Sequence, residues 1–182
     1  ISLCGAEGEA YYIPLAHRYV GAPAQLDLET AAEALRPLLE NERPRLVAQN
    51  AKYDMIVFAR HGMGVRAADF DTMVAAYVLN PARRRHNLAA LAQEYLGRPM
   101  KTYADLVGKG ARAKPYSEVS LEDARDYSCD DAAVTFALRP VLERELRREG
   151  LWEVFAGIDM PLVPVLARME MHLSLIHISE PT

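Results

Sequence analysis

The chain has 182 residues, 51% of them hydrophobic and 25% charged, which is typical of one globular domain and argues against wholesale disorder. Its formal charge of −4 disfavours non-specific binding to nucleic acid, so any nucleic-acid site would be a local groove in which metal ions offset the acidic residues. No apolar run reaches the length of about 18 residues that a transmembrane helix needs, and Cys4 and Cys129 are expected to be free thiols in a reducing cytoplasm.

The first third of the chain predicts a β-hairpin, a helix, a strand and a second helix. Aromatic and β-branched residues indicate the strands, and apolar residues three and four apart indicate the helices. Pro37 should kink the first helix or end it early. Asn50 is expected to start the turn into the second helix, and Gly62 to end that helix. The predicted strands cover residues 1–4, 10–15 and 45–49, and the predicted helices cover 28–40 and about 52–61.

The rest of the chain predicts helices. Asp71 fits a helix N-cap, Pro140 should break a long helix, and Asp159 with Pro161 fits the N-cap and first turn of a last helix. Strands first and helices later, with a strand–helix pair at 45–61, indicate an α/β domain. The predicted helices cover residues 72–79, 87–96, a possible turn at 103–107, a long segment from 121 to about 148, and a segment from 160.

The first pattern with chemical content is QNAKYD, residues 49–54, where the buried strand turns into a helix. Asp54 would lie in the first turn of that helix, near the carboxyl edge of the sheet, where ligands of α/β proteins gather. On these residues alone, a helix-dipole partner is the commoner role for Asp54, and a turn former is the commoner role for Asn50.

The second pattern is YSCDD, residues 127–131, inside the long predicted helix. Tyr127 and Asp131 are four residues apart and therefore share a face, whereas Asp130 is rotated by about 100°. Phosphodiester hydrolysis with two divalent ions about 3.5–4 Å apart needs carboxylates that converge from different elements, and a tyrosine can orient the attacking water. Adjacent aspartates on a helix are otherwise most often a solvated face.

Several segments together resemble the 3′–5′ exonuclease domain of bacterial DNA polymerase I over about residues 1–171. They are QNAKYD, FDTMVAAYVLNPARRRHNLAALAQEYLG, DYSCDDAAVT and DMPLVPVLARME, in the family's order and approximate spacing. The resemblance implies a ribonuclease-H-like α/β exonuclease fold with four acidic metal ligands and a tyrosine. It also implies two divalent metal ions, Mg²⁺ or Mn²⁺, and removal of mispaired 3′ nucleotides from DNA by hydrolysis of the terminal phosphodiester.

In the family pattern, QNAKYD resembles the second motif and YSCDD the third, and the resemblance implies a role for individual residues. Asp54 and Asp131 would be metal ligands, and Tyr127 would orient the attacking water. On the residues alone, a solvated basic turn is the preferred interpretation of residues 83–85, and a small satellite of the core is the preferred interpretation of Tyr103. The residues that the family pattern would place against a single-stranded DNA 3′ end are Gln49, Asn50, Tyr53, Arg85 and Tyr103.

The chain departs from the family pattern in its first motif, an Asp-x-Glu on the first strand. We expect that motif just before Ile1, which makes the fold incomplete and leaves two of four acidic ligands, so the chain itself should be inactive. Asp27 and Glu29 match the Asp-x-Glu pattern, but they lie at the start of a predicted helix and not on the first strand. An acidic helix N-terminus is therefore the better interpretation of this pair. The alternatives are a related exoribonuclease or stand-alone exonuclease of the same superfamily, or a non-catalytic DNA-binding scaffold.

The resemblance also divides the chain. Residues 1–157 would be a partial exonuclease domain, and residues 158–172 would begin a polymerase domain, the expected partner within the same polypeptide. Residues 173–182, LSLIHISEPT, match the translation of a transposase-type sequencing adapter. We therefore expect Leu173–Thr182 to be a non-native tail with few core contacts.

Overall fold

The computed structural model describes residues 1–66, 68–110 and 113–178, with side chains in those ranges as far as residue 173. The described residues form a mixed α/β fold, as the sequence predicts. In chain order the elements are β1 (Ser2–Ala6), β2 (Glu9–Tyr12), α1 (Leu28–Glu40), β3 (Leu46–Ala48), α2 (Ala51–Arg60), β4 (Ala68–Asp71), α3 (Thr72–Leu79), α4 (Leu88–Leu96), α5 (Tyr103–Val107), a 3₁₀ turn (Tyr116–Glu118), α6 (Leu121–Arg148), α7 (Trp152–Val154), a π-helical turn (Phe155–Asp159) and α8 (Met160–Ile178).

The strands form two separate pairs within the described residues. β1 and β2 make the predicted antiparallel hairpin, whose turn includes Gly8 at φ 80°. β2 ends at Tyr12, earlier than predicted, and Pro14 beyond it has no N–H to contribute to a ladder. β3 and β4 are parallel, with Ala48 opposite Asp71, so that their carboxyl ends lie side by side.

The contacts divide the chain into two compact units. The first unit joins Ile1–Ala31 to Arg85–Val141, and the second joins Ala32–Arg84 to the described residues from Leu142 onward. In the first unit, Val107, Val119 and Ala124 form a buried cluster at the start of α6. The second unit contains the β3–β4 pair and a buried aromatic contact, in which the ring centroids of Phe70 and Phe155 are 4.8 Å apart.

The prolines inside α1 and α6 do not end these helices, so the predicted break at Pro140 is wrong, and the early end that was one of two outcomes predicted for Pro37 does not occur. α1 continues through Pro37 to Glu40, and α6 continues through Pro140 to Arg148. Each proline costs its helix one hydrogen bond, but apolar residues on both sides of it are buried, and their burial offsets that cost. The buried flanking residues are Leu35 and Leu39 in α1 and Leu138 and Leu142 in α6.

The prediction that Asp159 caps the last helix is wrong. Helical backbone begins at Trp152, and Asp159 ends a π-helical turn that leads directly into α8. Phe155 is fully buried against Phe70, and this packing stabilises helical backbone from Trp152 onward, ahead of the predicted start. Pro161 has no N–H, and the wider turn before it accommodates the missing bond.

Some expectations concern the ends of the chain and its two thiols. Cys4 and Cys129 are free thiols, as expected. Leu173 is 58% exposed, while the side chains of residues 174–182 of the expected non-native tail lie outside the described residues. No single described helix is long and apolar enough to cross a membrane. Leu121–Arg148 and Trp152–Leu173 together have the length and composition of a bent membrane-spanning pair.

Candidate active site

The second-motif segment, residues 49–54, forms the turn between β3 and α2. Asn50 has a left-handed backbone, φ 65° and ψ 52°, and its side chain makes no capping hydrogen bond to α2. The Tyr53 N–H donates to the Asn50 carbonyl at 2.9 Å, which closes the first helical turn. Asp54 consequently lies in the first turn of α2, as predicted.

Asp71 provides the cap that the Asn50 side chain does not provide. Its carboxylate is 1% exposed, and it accepts hydrogen bonds from the backbone N–H groups of two helix starts. The four donors are Asn50 at 3.1 Å, Ala51 at 2.7 Å, Met73 at 2.8 Å and Val74 at 3.2 Å. Burial raises the pKa of Asp71, and these bonds oppose the rise.

The predicted N-cap role of Asp71 on α3 is confirmed. The sequence analysis did not predict that Asp71 also accepts hydrogen bonds from the N–H groups of Asn50 and Ala51. The available signal is the FDT tripeptide: an aspartate that ends a strand beside the carboxyl end of another strand can reach two helix starts. β4 itself was also missed, since Phe70 is the sole large apolar residue among its four.

Asp54 lies in an environment that disfavours its charge. Its side chain has access to solvent at the surface, yet the surrounding protein displaces much of its hydration shell. This desolvation, with the negative charge of Asp71 as a smaller cause, raises the pKa of Asp54 to about 6. A carboxylate in such a position gains from a nearby cation.

The other residues of the second-motif segment differ in exposure. Gln49 is partly buried, and its Oε1 accepts a hydrogen bond from the Thr72 hydroxyl at 2.5 Å. Tyr53 is 64% exposed, which leaves its ring available for stacking. The structure therefore fixes Gln49 against the start of α3 and presents Tyr53 to solvent.

The third-motif residues lie on α6, in the first unit. Tyr127 and Asp131 lie one helical turn apart on one face of α6, as their spacing predicts, and each side chain shifts the pKa of the other. Desolvation raises the pKa of Asp131 to about 6, the Tyr127 hydroxyl opposes the rise, and Asp130 adds to it. Desolvation and the Asp131 charge raise the pKa of Tyr127, so this phenol keeps its proton.

Asp130 is engaged differently from its neighbour. Its carboxylate forms an ion pair with the Arg98 guanidinium, which lies just beyond the end of α4. This pairing agrees with the prediction that Asp130 is rotated away from the helix face that Tyr127 and Asp131 share. The convergence of Asp54 with Tyr127 and Asp131 in one cleft stays a prediction.

Removing the charge of Asp131 should stabilise the metal-free chain at high pH. Its folded pKa of about 6 lies above the ordinary value of 3.8, so its contribution to stability is fully present below pH 3.8 and is lost as pH rises through 6. At pH 8, Asp131→Asn should increase the free energy of unfolding by about 1 kcal/mol after allowance for solvent screening, which raises Tm by about 2–4 °C. At pH 4 the substitution should leave Tm nearly unchanged.

Thermal unfolding in EDTA at both pH values measures this effect. Asp130→Asn is the matched control, because it removes an equal charge that Arg98 neutralises, and it should not raise Tm at pH 8. Equal gains in the two variants would attribute the effect to net charge rather than to the surroundings of Asp131.

The remaining predicted contact residues are exposed. Tyr103, at the start of α5, is 53% exposed and stacks on Tyr116 with the ring planes 7° apart and the centroids 6.2 Å apart. Tyr103 therefore differs from a buried satellite of the core: one face of its ring contacts Tyr116, and about half of the residue is exposed. Arg85 is exposed in the segment between α3 and α4.

The donor chemistry of the two carboxylates suits hard divalent cations. Mg²⁺ and Mn²⁺ prefer carboxylate oxygen, and bound cations would offset the desolvation that Asp54 and Asp131 both experience. Within the described ranges, no three His, Cys, Asp or Glu side chains group closely enough to hold a metal ion together. The described donor set is therefore smaller than a closed two-metal site would use.

Comparison with known proteins identifies relatives over most of the chain. A family model described as a 3′–5′ exonuclease matches residues 1–147. The DNA polymerase I of Pseudomonas aeruginosa is 41% identical over 179 residues, which is 97% of this chain and 20% of the relative. That of Rhizobium leguminosarum is 37% identical over 91% of this chain and 17% of its own length. The chain thus spans about a fifth of the length of these relatives.

Solved structures support the fold. One described as the POL domain of Pol1 from M. smegmatis, in complex with DNA primer-template and dNTP, is 26% identical with a TM-score of 0.64, over 80% of this chain and 22% of that chain. Brucella melitensis NrnC with bound Mg²⁺ is 17% identical with a TM-score of 0.55, over 85% of this chain and 68% of that chain. The second likeness concerns the fold alone.

Proposed function

The chain belongs to the 3′–5′ exonuclease domain family of DNA polymerase I, and on this basis we propose that its candidate site serves to remove nucleotides from DNA 3′ ends. The match of a 3′–5′ exonuclease family model to residues 1–147 carries the proposal, and the acidic residues of two motifs agree with it. The aspartates of two separate motifs, Asp54 and Asp131, both have pKa values raised to about 6 by desolvation. Carboxylates with perturbed pKa values at the positions of a family's acidic motifs are strong candidates for a functional role.

In the proposed mechanism, Asp54 and Asp131 would hold divalent ions, and we infer two ions, Mg²⁺ or Mn²⁺. When bound, such ions supply positive charge to the phosphodiester and lower the pKa of a water molecule. The Tyr127 hydroxyl, which lies one helical turn from Asp131 and keeps its proton, would orient the attacking water. Asp131 would thus serve both the metal and the tyrosine.

The residues around the two motifs would hold the unpaired 3′ end. Tyr53 and Tyr103 expose most of their rings, and stacking of bases on aromatic side chains is worth about 1–3 kcal/mol per base. Gln49 and Asn50 would contact the terminal nucleotides, and Arg85 would contact a backbone phosphate. This set suits single-stranded DNA, because unpaired bases can stack on the exposed tyrosines while the arginine binds the backbone.

The proposal extends to the surroundings of the domain. The relatives are complete bacterial DNA polymerases I, of which this chain matches about a fifth. We infer that residues 158–172 lead toward a polymerase domain in such a protein, that residues 1–157 are its exonuclease part, and that it acts on DNA in the cytoplasm. Proofreading would then be the purpose of the hydrolysis.

The test uses this chain extended at its N-terminus by a strand that carries Asp-x-Glu, the first motif of the family pattern. With Mg²⁺ and a 5′-labelled single-stranded DNA, we expect a ladder of products shortened from the 3′ end and release of nucleoside monophosphates. Faster digestion of RNA or of dinucleotides would favour the exoribonuclease alternative. DNA binding without digestion would favour the scaffold alternative.

Tyr127→Phe in the extended protein should lower kcat by about 10–100-fold and leave KM for DNA nearly unchanged. The variant keeps the ring and removes the hydroxyl, so it tests orientation of the water rather than packing. Single-turnover digestion measures the rate of the chemical step. Tyr95→Phe, on α4, is the control for loss of a tyrosine hydroxyl from a partly buried helical residue. A Tyr127→Phe rate equal to the unsubstituted rate would contradict the assigned role.

A further inference from the structure

We propose that Asp71 is a positioning residue of the candidate site, because its buried carboxylate holds the turn that presents Asn50 and Asp54 while it also caps α3. This inference rests on the proposed function for its effect on DNA, and on the structure alone for the contacts. Asp71 ends β4 beside Ala48 of β3, so its side chain lies where two helices begin.

The two carboxylate oxygens have different partners. Oδ1 accepts from the N–H groups of Asn50, Met73 and Val74, and Oδ2 accepts from the N–H of Ala51. The first amides of a helix have no acceptor within that helix, so these four donors depend on an outside group. Asp71 thus links the starts of α2 and α3 through one side chain.

Thr72 extends the same support by one residue. Its hydroxyl lies 2.5 Å from the Gln49 Oε1 and 3.2 Å from the Ala48 carbonyl oxygen. Thr72 is fully buried, as is Asp71. The Asp71–Thr72 pair therefore contacts residues 48–51, the turn that carries two of the proposed DNA contacts, Gln49 and Asn50, and leads to Asp54.

Capping of α3 alone does not require this residue. Serine is an equally good N-cap, but its single, shorter oxygen cannot also reach the amides of Asn50 and Ala51 at the start of α2. Asp27 provides the comparison within the chain. Its carboxylate accepts from the N–H and the hydroxyl of Thr30 at 2.8 Å and 2.7 Å, at the start of α1.

Amide hydrogen exchange by NMR on the 182-residue chain tests the contacts without DNA or metal. In Asp71→Ser, we expect the amides of Asn50 and Ala51 to exchange at least about tenfold faster, and those of Met73 and Val74 to change by less than about threefold. Asp27→Ser, the matched control, should leave all four unchanged. Unchanged exchange at Asn50 and Ala51 would overturn the proposal, as would loss of protection at all four amides.

Asp71→Asn keeps the proposal testable where the serine variant fails to fold. Asparagine retains the shape of the side chain and the Oδ1 acceptor, but its amide N–H₂ would face the Ala51 N–H. Exchange at Ala51 alone should then rise. An unchanged exchange rate of the Ala51 amide in this variant would overturn the proposal that Oδ2 of Asp71 accepts its hydrogen bond.

Activity of the extended protein tests the consequence for the site. Asp71→Ser should lower kcat/KM on single-stranded DNA by about 10–100-fold, the usual effect of removing a group that orients active-site residues, and Asp27→Ser should lower it less than about twofold. Equal effects of the two substitutions would overturn the positioning role. Inactivity of the unsubstituted extended protein would instead count against the proposed function, and the exchange results would still decide the contacts.

Discussion

The 182-residue chain should show no magnesium-dependent exonuclease activity, and the N-terminal extension with an Asp-x-Glu strand should create it. Asp54 and Asp131 are the acidic residues of two motifs, and no cluster of three potential ligands exists among the described residues. Mg²⁺ holds most of its waters and binds weakly to so few carboxylates, so it would not stay at the site during turnover.

The measurement is the rate of 3′-end shortening of a 5′-labelled oligonucleotide at equal protein concentrations. The extended protein should exceed the 182-residue chain by about 1,000-fold or more, which corresponds to about 4 kcal/mol of transition-state stabilisation. An extension with Ala-x-Ala in place of Asp-x-Glu is the control for stabilisation of the fold by the added strand. Activity of the 182-residue chain equal to that of the extended protein would show that the metal ligands lie elsewhere.

Within the extended protein, Asp131→Ala should reduce kcat by about 1,000-fold or more. The substitution removes a carboxylate whose proposed roles are to hold a metal and to bind the Tyr127 hydroxyl. Asp54→Ala should have an effect of similar size, since it removes the acidic residue of the other motif. The loss should appear in kcat at saturating Mg²⁺.

Asp130→Ala is the matched control for this loss. The residue is adjacent to Asp131 in sequence and on the same helix, but its carboxylate pairs with Arg98. Its substitution should change kcat less than about threefold, consistent with the small contribution of exposed ion pairs. Full activity of Asp131→Ala, or equal losses in the two variants, would contradict the assignment of the third motif.

The local features of the candidate site could be predicted from the sequence because they depend on short-range rules. The i, i+4 spacing places Tyr127 and Asp131 on one face of a helix, and in the structure both residues lie on α6, one turn apart. The strand–turn–helix pattern around residues 49–54 likewise places Asp54 in a first helical turn. The roles of these residues in binding metal and DNA came from the family resemblance and stay proposals.

The features that the sequence analysis missed depend on contacts between distant segments. β4 has too few apolar residues to be recognised alone, and it is defined by its pairing with β3. Pro37 and Pro140 are tolerated because buried leucines on both sides hold the helix, which the local rule for proline does not consider. The second role of Asp71 requires knowing that two strand ends are adjacent.

The left-handed backbone of Asn50 limits which residues natural variants can have at that position. Asparagine and aspartate tolerate this conformation, glycine adopts it freely, and most other side chains are strained by about 1–3 kcal/mol. Selection for folding would therefore retain asparagine in many lineages before any contact with DNA is considered. An invariant asparagine among homologues would for that reason say little about recognition, whereas lineages with glycine at position 50 would show directly whether the amide side chain is dispensable.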